Sequence, residues 1–217
     1  MTTLTNKTAV ILGGAGRIGS AVAKEFERHG ATVVIADTKV GEEWDISNHE
    51  NIGRVVAVHP DIFVDCSGYG SDWIDHSRGI MHCVGIVARE MAENAGGSIV
   101  LTSSIYGIHG PDFRRYRDTQ MDCPPDYSFC KAGVIGMTKN LATRYARQGV
   151  RVNCVAPGGV DMEETNPLFK ARYENGVPMG RMATPADLIG AYLYFASDAS
   201  KYTTGQTLIV DGGLTSW

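Results

Sequence analysis

The chain has 217 residues, 43% of them hydrophobic and 20% charged, enough for one sizeable domain burying roughly 70–75% of its unfolded surface. Its net charge of −4 argues against broad binding to nucleic acid or an anionic membrane. No apolar run approaches the roughly 18 residues that a bilayer-spanning helix needs.

Five cysteines, at 66, 83, 123, 130 and 154, are odd in number and form no Cys-x-x-Cys pair, as suits reduced thiols. The polar stretch from Thr2 to Lys7 lacks a leader's apolar region, so a cytoplasmic protein is expected. The six histidines show no close pair with metal-ligand spacing, and no metal is expected.

In chain order, residues 9–12 form the first strand-like run, followed by GGAGRIG at 13–19. Gly14, Gly16 and Gly19 have the G-x-G-x-x-G spacing between a strand and a helix. The first glycine permits the tight turn, the second the approach of backbone to a pyrophosphate, and the third close helix–strand packing. The helix start then offers N–H groups and partial positive charge to phosphates. The helix at 19–29 carries Val22 and Phe26 on one side, with Gly30 placed to end it.

Residues 32–36 are the second strand. Asp37 closes it, 18 residues beyond Gly19, where a carboxylate accepts hydrogen bonds from an adenosine ribose. A 2′-phosphate there would meet like charge, at up to about 4 kcal/mol per close pair near a surface. NAD is therefore favoured over NADP, with Arg17 as the cation that would oppose this preference.

Ser47-Asn48-His49-Glu50 reads as a capping box for a helix carrying Ile52, Val55 and Val56 and stopped by Pro60. Strand-like runs follow at 62–66 and 98–102. Between them Ile80, Val84, Val87 and Met91 make an apolar stripe on a helix ending near Gly96. Val134, Ile135, Thr138, Leu141 and Tyr145 continue a helix that starts near Tyr127. The last strand runs are 151–156 and 207–210, and between them Thr184-Pro185-Ala186-Asp187 opens a helix with a capping threonine and proline at its first position. No repeat or low-complexity linker appears. Strands alternating with helices predict one α/β domain over residues 1–217, a doubly wound parallel sheet with helices on both faces.

The chemistry concentrates at Tyr127 and Lys131. A spacing of four puts both on one helix face, about 5–6 Å apart at Cβ. A tyrosine titrates near pH 10, and a fixed ammonium beside it favours the phenolate. Such a pair suits proton transfer to or from a substrate oxygen.

Together these segments resemble the short-chain dehydrogenase/reductase family. The match covers nearly the whole chain: GGAGRIG, DIFVDCSG at 61–68, GSIVLTSS at 97–104, YSFCKAG at 127–133, RVNCVAPGGV at 151–160 and TGQTLIVDGG at 204–213. The resemblance implies Tyr127 as general acid/base, Lys131 as the cation that lowers its pKa and holds the nicotinamide ribose, and Ser104 as hydrogen-bond partner of the reacting oxygen. It implies cofactor contacts at Gly13, Gly14, Gly16, Arg17, Ile18, Gly19, Ser67 and Gly68. It further implies contacts at Pro157, Gly158 and Val160 near the carboxamide, and at Asp45-Ile46 near adenine.

Several positions depart from the family pattern. Leu12, Arg17, Asp65-Cys66-Ser67 and Met162 replace its usual residues, and His82 falls near the helix position of its relay asparagine. Asp37 to Asp45 spans only eight residues, too short for a crossover helix between parallel strands, so a trimmed sheet edge is expected.

Ser104 and Tyr127 lie 23 residues apart, about ten more than the family usually shows. The loop at 105–126 carries Arg114, Arg115 and Arg117, which suggest contact with phosphate or carboxylate oxygens. Residues 161–182 form a second candidate substrate loop. The segment after Ser104 resembles family members linked to bacterial surface-polysaccharide or flagellin glycosylation, which points to a sugar or sugar-nucleotide substrate. The rivals are a 3-oxoacyl-thioester reductase using the same residues and a non-catalytic dinucleotide-sensing or scaffold protein. The family also implies a homodimer or homotetramer formed by the helices around 73–94 and 127–146.

Overall fold

The computed structural model describes residues 3–68, 73–162 and 164–217, with His49 and Trp73 described at the backbone only. Six strands, β1 (Thr8–Leu12), β2 (Thr32–Ala36), β3 (Ile62–Asp65), β4 (Gly97–Thr102), β5 (Val150–Pro157) and β6 (Thr207–Val210), form one parallel sheet in the order β2-β1-β3-β4-β5-β6. Register runs from Thr8 opposite Thr32 on one side of β1 to Ala9 opposite Ile62 on the other.

Helices cover both faces. On one face α1 (Arg17–Arg28) and α6 (Pro185–Ala196) pack Val22, Phe26, Leu188, Tyr192 and Phe195 against Ile11, Val64 and Val155. On the other, α2 (Ile52–Ala57), α3 (Trp73–Glu93) and α4 (Pro125–Tyr145) bury Val55, Val84, Val87 and Leu141 against Val10, Phe63 and Leu101. Strands buried on both faces need apolar residues at every position, which is why their runs are continuous rather than alternating. The stripe Ile80, Val84, Val87, Met91 is buried as its helical spacing requires.

β2 is the sheet edge. From β2 the chain returns to β3 through short turns at Glu42–Trp44 and His49–Asn51 and the six-residue α2, with no further strand. The trimmed edge expected from the eight-residue interval is therefore present. The capping box expected at 47–50 is not. Ser47 turns back, its N–H and hydroxyl both donating to Asp45 Oδ1 at 2.9 and 2.8 Å, and α2 starts at Ile52 without a side-chain cap. The Thr184–Asp187 box on α6 does form. No helix among the described residues is long and apolar enough to cross a membrane.

The chain leaves β1 for β2 on one side and then crosses from β2 to β3 on the other side of β1. Between β1 and β3 the winding reverses, and the carboxyl ends of these two strands open a crevice there. The glycine turn follows β1 and Ser67-Gly68 follows β3, so both border it.

Candidate active site

A cleft of about 640 Å³ lies over the carboxyl ends of the strands. One end is built by the glycine turn. Gly13 has φ +71°, and a Cβ there would lie 2.4 Å from Ser67 Cα, so only glycine lets the turns after β1 and β3 touch. A Cβ on Gly19 would lie 2.2 Å from Gly13 O, which confirms the packing reason for the third glycine. Gly16 caps α1 with no side chain bonded over the helix end and no acidic residue in the first turn. This leaves a helix N-terminus able to take phosphate oxygens. Gly16, Arg17, Ile18, Ser67, Gly68, Pro157, Gly158 and Val160 line the cleft, and Gly13, Gly14, Gly19 and Asp37 do not.

Asp37 stands at the end of β2 beside this turn, its Oδ2 accepting the Ala15 N–H at 3.0 Å and its Oδ1 the Lys39 N–H at 2.9 Å. These bonds fix the carboxylate and leave lone pairs on both oxygens. Asp45 and Ile46 do not line the cleft. Ile46 is buried at 4% exposure beneath α3, where a Cβ on Gly79 would lie 2.8 Å from its carbonyl oxygen. Asp45 is half-buried, on a segment that no strand presents.

The middle of the cleft brings together Ser104 from the end of β4 and Tyr127 and Lys131 from α4. Ser104 Oγ accepts the Tyr106 N–H at 3.1 Å, and its side chain hydrogen-bonds the Tyr127 hydroxyl. Lys131 is only 5% exposed; its Nζ donates to the Thr102 carbonyl at 3.0 Å and sits 6.0 Å from the Tyr127 ring centre.

Tyr127 is held above its ordinary value of 10, chiefly by burial, with the Ser104 hydrogen bond pulling the other way. The Lys131 ammonium is aimed at the Thr102 carbonyl. Burial brings Lys131 itself down to about 8, opposed by the charge of Asp65.

The far end is walled by residues that sequence reading did not single out. Tyr106, Tyr116, Phe169 and Tyr173 form a chain of rings, with Phe169 and Tyr173 carried on α5 (Pro167–Glu174). The Tyr116 hydroxyl donates to that of Tyr106 at 3.0 Å, and Tyr173 accepts the Gly159 N–H at 2.5 Å. Phe169 and Tyr173 have the i, i+4 spacing of one helix face, but Tyr106 and Tyr116 lie outside any α-helix or strand and carry no periodic signal that joins them to it.

Arg114, Arg115 and Arg117 do not line the cleft. Arg114 is exposed and paired with Asp112 at 2.8 Å; Arg115 lies over the Tyr173 ring at 5.0 Å; the Arg117 side chain is exposed while its carbonyl accepts from Arg172. The cation that does reach the cleft, Arg17, is paired across its mouth with Glu164. His82 is on the exposed side of α3, whereas His76, in the first turn, reaches Ser67 at 3.0 Å. No cluster of His, Cys, Asp and Glu fit for a metal occurs among the described residues.

Comparison with known proteins agrees with this architecture. Residues 75–215 match the family model described as enoyl-(acyl carrier protein) reductase. The chain is 32% identical to the 3-oxoacyl-acyl-carrier-protein reductase of Chlamydia muridarum, over 97% of this chain and 98% of the relative. It is 31% identical to a sorbose reductase of Candida albicans, over 98% and 88%. A short-chain dehydrogenase from Leptospira borgpetersenii, solved with bound NAD+, superposes with a TM-score of 0.85 at 29% identity, covering 97% of this chain and 93% of that one. The fold, the crevice at its switch point and these similarities make the chain a member of the short-chain dehydrogenase/reductase family of oxidoreductases.

Proposed function

We propose that this protein is an NAD-dependent oxidoreductase that interconverts a secondary alcohol and a ketone on a compact, uncharged polyol- or sugar-like substrate. The observation that carries the reading is the placement of Ser104, Tyr127 and Lys131 between a phosphate-accepting helix start and an aromatic wall bearing hydroxyls.

The residues present fit a nicotinamide dinucleotide. The glycine turn and first turn of α1 would hold the pyrophosphate and Asp37 the adenosine ribose. Ser67, Gly68, Lys131, Pro157, Gly158 and Val160 would border the remainder. When bound, the dinucleotide supplies the hydride donor or acceptor. Tyr127 moves the proton, giving it to the carbonyl oxygen in reduction and taking it from the hydroxyl in oxidation. Ser104 hydrogen-bonds the reacting oxygen and steadies its developing charge. Lys131 supplies positive charge within the same buried space.

The substrate assignment follows from the far wall. Rings present faces for the C–H side of a sugar or polyol, and the hydroxyls of Tyr106 and Tyr116 take its oxygens. An anionic substrate would instead meet Asp122 in the cleft lining, where Arg17 is already paired with Glu164, while the loop arginines face elsewhere. One such repulsion costs up to about 4 kcal/mol near a surface. The sugar-nucleotide reading loses the support of those arginines and rests on the resemblance of the segment after Ser104 alone. A 3-oxoacyl-thioester substrate is the second reading, favoured by similarity to the Chlamydia enzyme over nearly the whole chain.

Assembly into a homodimer or homotetramer through α3 and α4 belongs to the same proposal. Met81 is 60% and Phe129 72% exposed on those helices.

The test is turnover of the purified protein on ketoses and polyols, 3-oxoacyl thioesters and sugar nucleotides, each with NAD(H) and NADP(H). Polyol or ketose turnover with NAD(H) supports the reading. Preference for the thioester would replace it with the second, and inactivity across the panel would favour a dinucleotide-binding protein without catalysis.

A further inference from the structure

A chain of hydrogen-bonded polar groups, buried at Asp65 and half-buried at Ser67 and His76, adjoins the cleft, and the chemistry above uses neither Asp65 nor His76. Asp65 ends β3 at 1% exposure. Its Oδ1 accepts the Ser67 N–H at 2.9 Å and also the Ser67 hydroxyl. Ser67 Oγ lies 3.0 Å from His76 Nε2.

A serine has one hydroxyl proton to donate. With that proton donated to the Asp65 carboxylate, Oγ can only accept from the ring, so Nε2 carries a proton. The order is therefore fixed: His76 Nε2–H to Ser67 Oγ, and Ser67 O–H to Asp65 Oδ1. A second link runs through β4. Lys131 donates to the Thr102 carbonyl, the Thr102 hydroxyl donates to the Asp65 carbonyl, and the Tyr192 hydroxyl donates to Thr102 Oγ1 at 2.7 Å. A buried ammonium without a counter-charge is costly, and the charge of Asp65 is the main influence opposing burial at Lys131.

We propose that His76 is a positioning residue for Lys131: through Ser67 it fixes the orientation of the Asp65 carboxylate, the counter-charge that keeps the buried ammonium charged at the cleft. The proposal rests on the reading of Lys131 as a functional group.

The charged groups that act on the imidazole are Asp65 from β3, Lys131 from α4 and Asp45 from the segment after β2; Asp75 and Arg78 share its helix. Burial holds the ring below its ordinary value of 6.5, helped by Lys131 and opposed by Asp65 and Asp45. Charge on Lys131 reaches the ring through space in any case, so the Lys131 midpoint in the His76 variants is the readout specific to positioning.

NMR titration of the full-length protein with ¹³C-labelled histidine and lysine tests this without any substrate. The His76 midpoint should rise in Lys131→Met, which removes a positive charge, and fall in Asp65→Asn. The Lys131 midpoint should fall by about one pH unit or more in Asp65→Asn. It should also fall in His76→Ala and Ser67→Ala, and return towards wild type in His76→Gln, whose amide can still donate to Ser67. His76→Gln also keeps the test available if the alanine variant does not fold.

A His76 midpoint identical in wild type, Lys131→Met and Asp65→Asn would overturn the proposal. So would a Lys131 midpoint unmoved by His76→Ala. Either result would leave the oxidoreductase reading standing if the wild type turns over. Shifted midpoints in a protein inactive on every substrate would uphold the positioning role and count against that reading.

Discussion

At the residue scale, the catalytic proposal depends on a tyrosine that burial keeps protonated and a lysine that burial brings down to about 8. The two directions set a pH profile. In ketone reduction Tyr127 must carry its proton and Lys131 its charge. Tyr127, raised above 10, stays protonated across the neutral range, so Lys131 sets the limit. Reduction should be flat from about pH 6 to 7 and fall as Lys131 deprotonates above about pH 8. Stopped-flow or steady-state rates across that range check this, and a rate still flat at about pH 10 would show that Lys131's charge is not needed.

The arginines of the 105–126 loop give a second prediction. Arg114→Ala with Arg117→Ala should leave substrate KM within about twofold, since exposed surface pairs contribute about 0–1 kcal/mol and neither residue lines the cleft. Arg115→Ala should instead weaken the aromatic wall, because its guanidinium covers Tyr173. A strongly raised KM in the double variant would return the substrate to an anion.

The residues legible in the sequence were those with fixed spacing: the glycines, Asp37, Ser104, Tyr127 and Lys131. His76, Tyr116 and Phe169 escaped notice because they join the site by tertiary packing, not by spacing along the chain. His82 drew attention in place of His76 although both lie on α3. The six-residue step from one to the other turns the helix by about 600°, placing them on different faces.

At the element scale, six strands and the main helices follow from continuous apolar runs and 3.6-residue stripes. The segment between β2 and β3 does not, because Ser47 bonds Asp45 locally instead of capping α2. At α6 the same type of motif works. Arg181 and both the N–H and hydroxyl of Thr184 converge on Asp187, holding its carboxyl well below the usual carboxylate range. A depressed carboxyl stabilises the fold above its unfolded pKa, and that stability is lost as pH falls through the folded value. Asp187→Asn should therefore cost about 1 kcal/mol at neutral pH. The difference from wild type should shrink as pH falls below about 4. Denaturant melts at pH 7 and at low pH measure this, and an equal deficit at both would remove the charge from the explanation.

At the scale of the whole molecule, the reversal of winding between β1 and β3 brings three distant segments to one cleft: the glycine turn, the end of β4 and the first turns of α4. Asp37 is held at the sheet edge by Ala15 and Lys39, and on the proposed reading its carboxylate sets the cofactor preference. Asp37→Ala should narrow the gap between NADH and NADPH affinity in fluorescence titrations, and tighter NADPH binding by the wild type would show that Arg17 prevails.

The central claim is proton transfer by Tyr127 in an NAD-dependent alcohol–ketone interconversion. Its most direct test is turnover of Tyr127→Phe beside the wild type on the best substrate of the panel, with NADH affinity measured on both. The account predicts a loss of roughly 10²–10⁴-fold in turnover with NADH affinity nearly unchanged. Comparable turnover by the phenylalanine variant would contradict it.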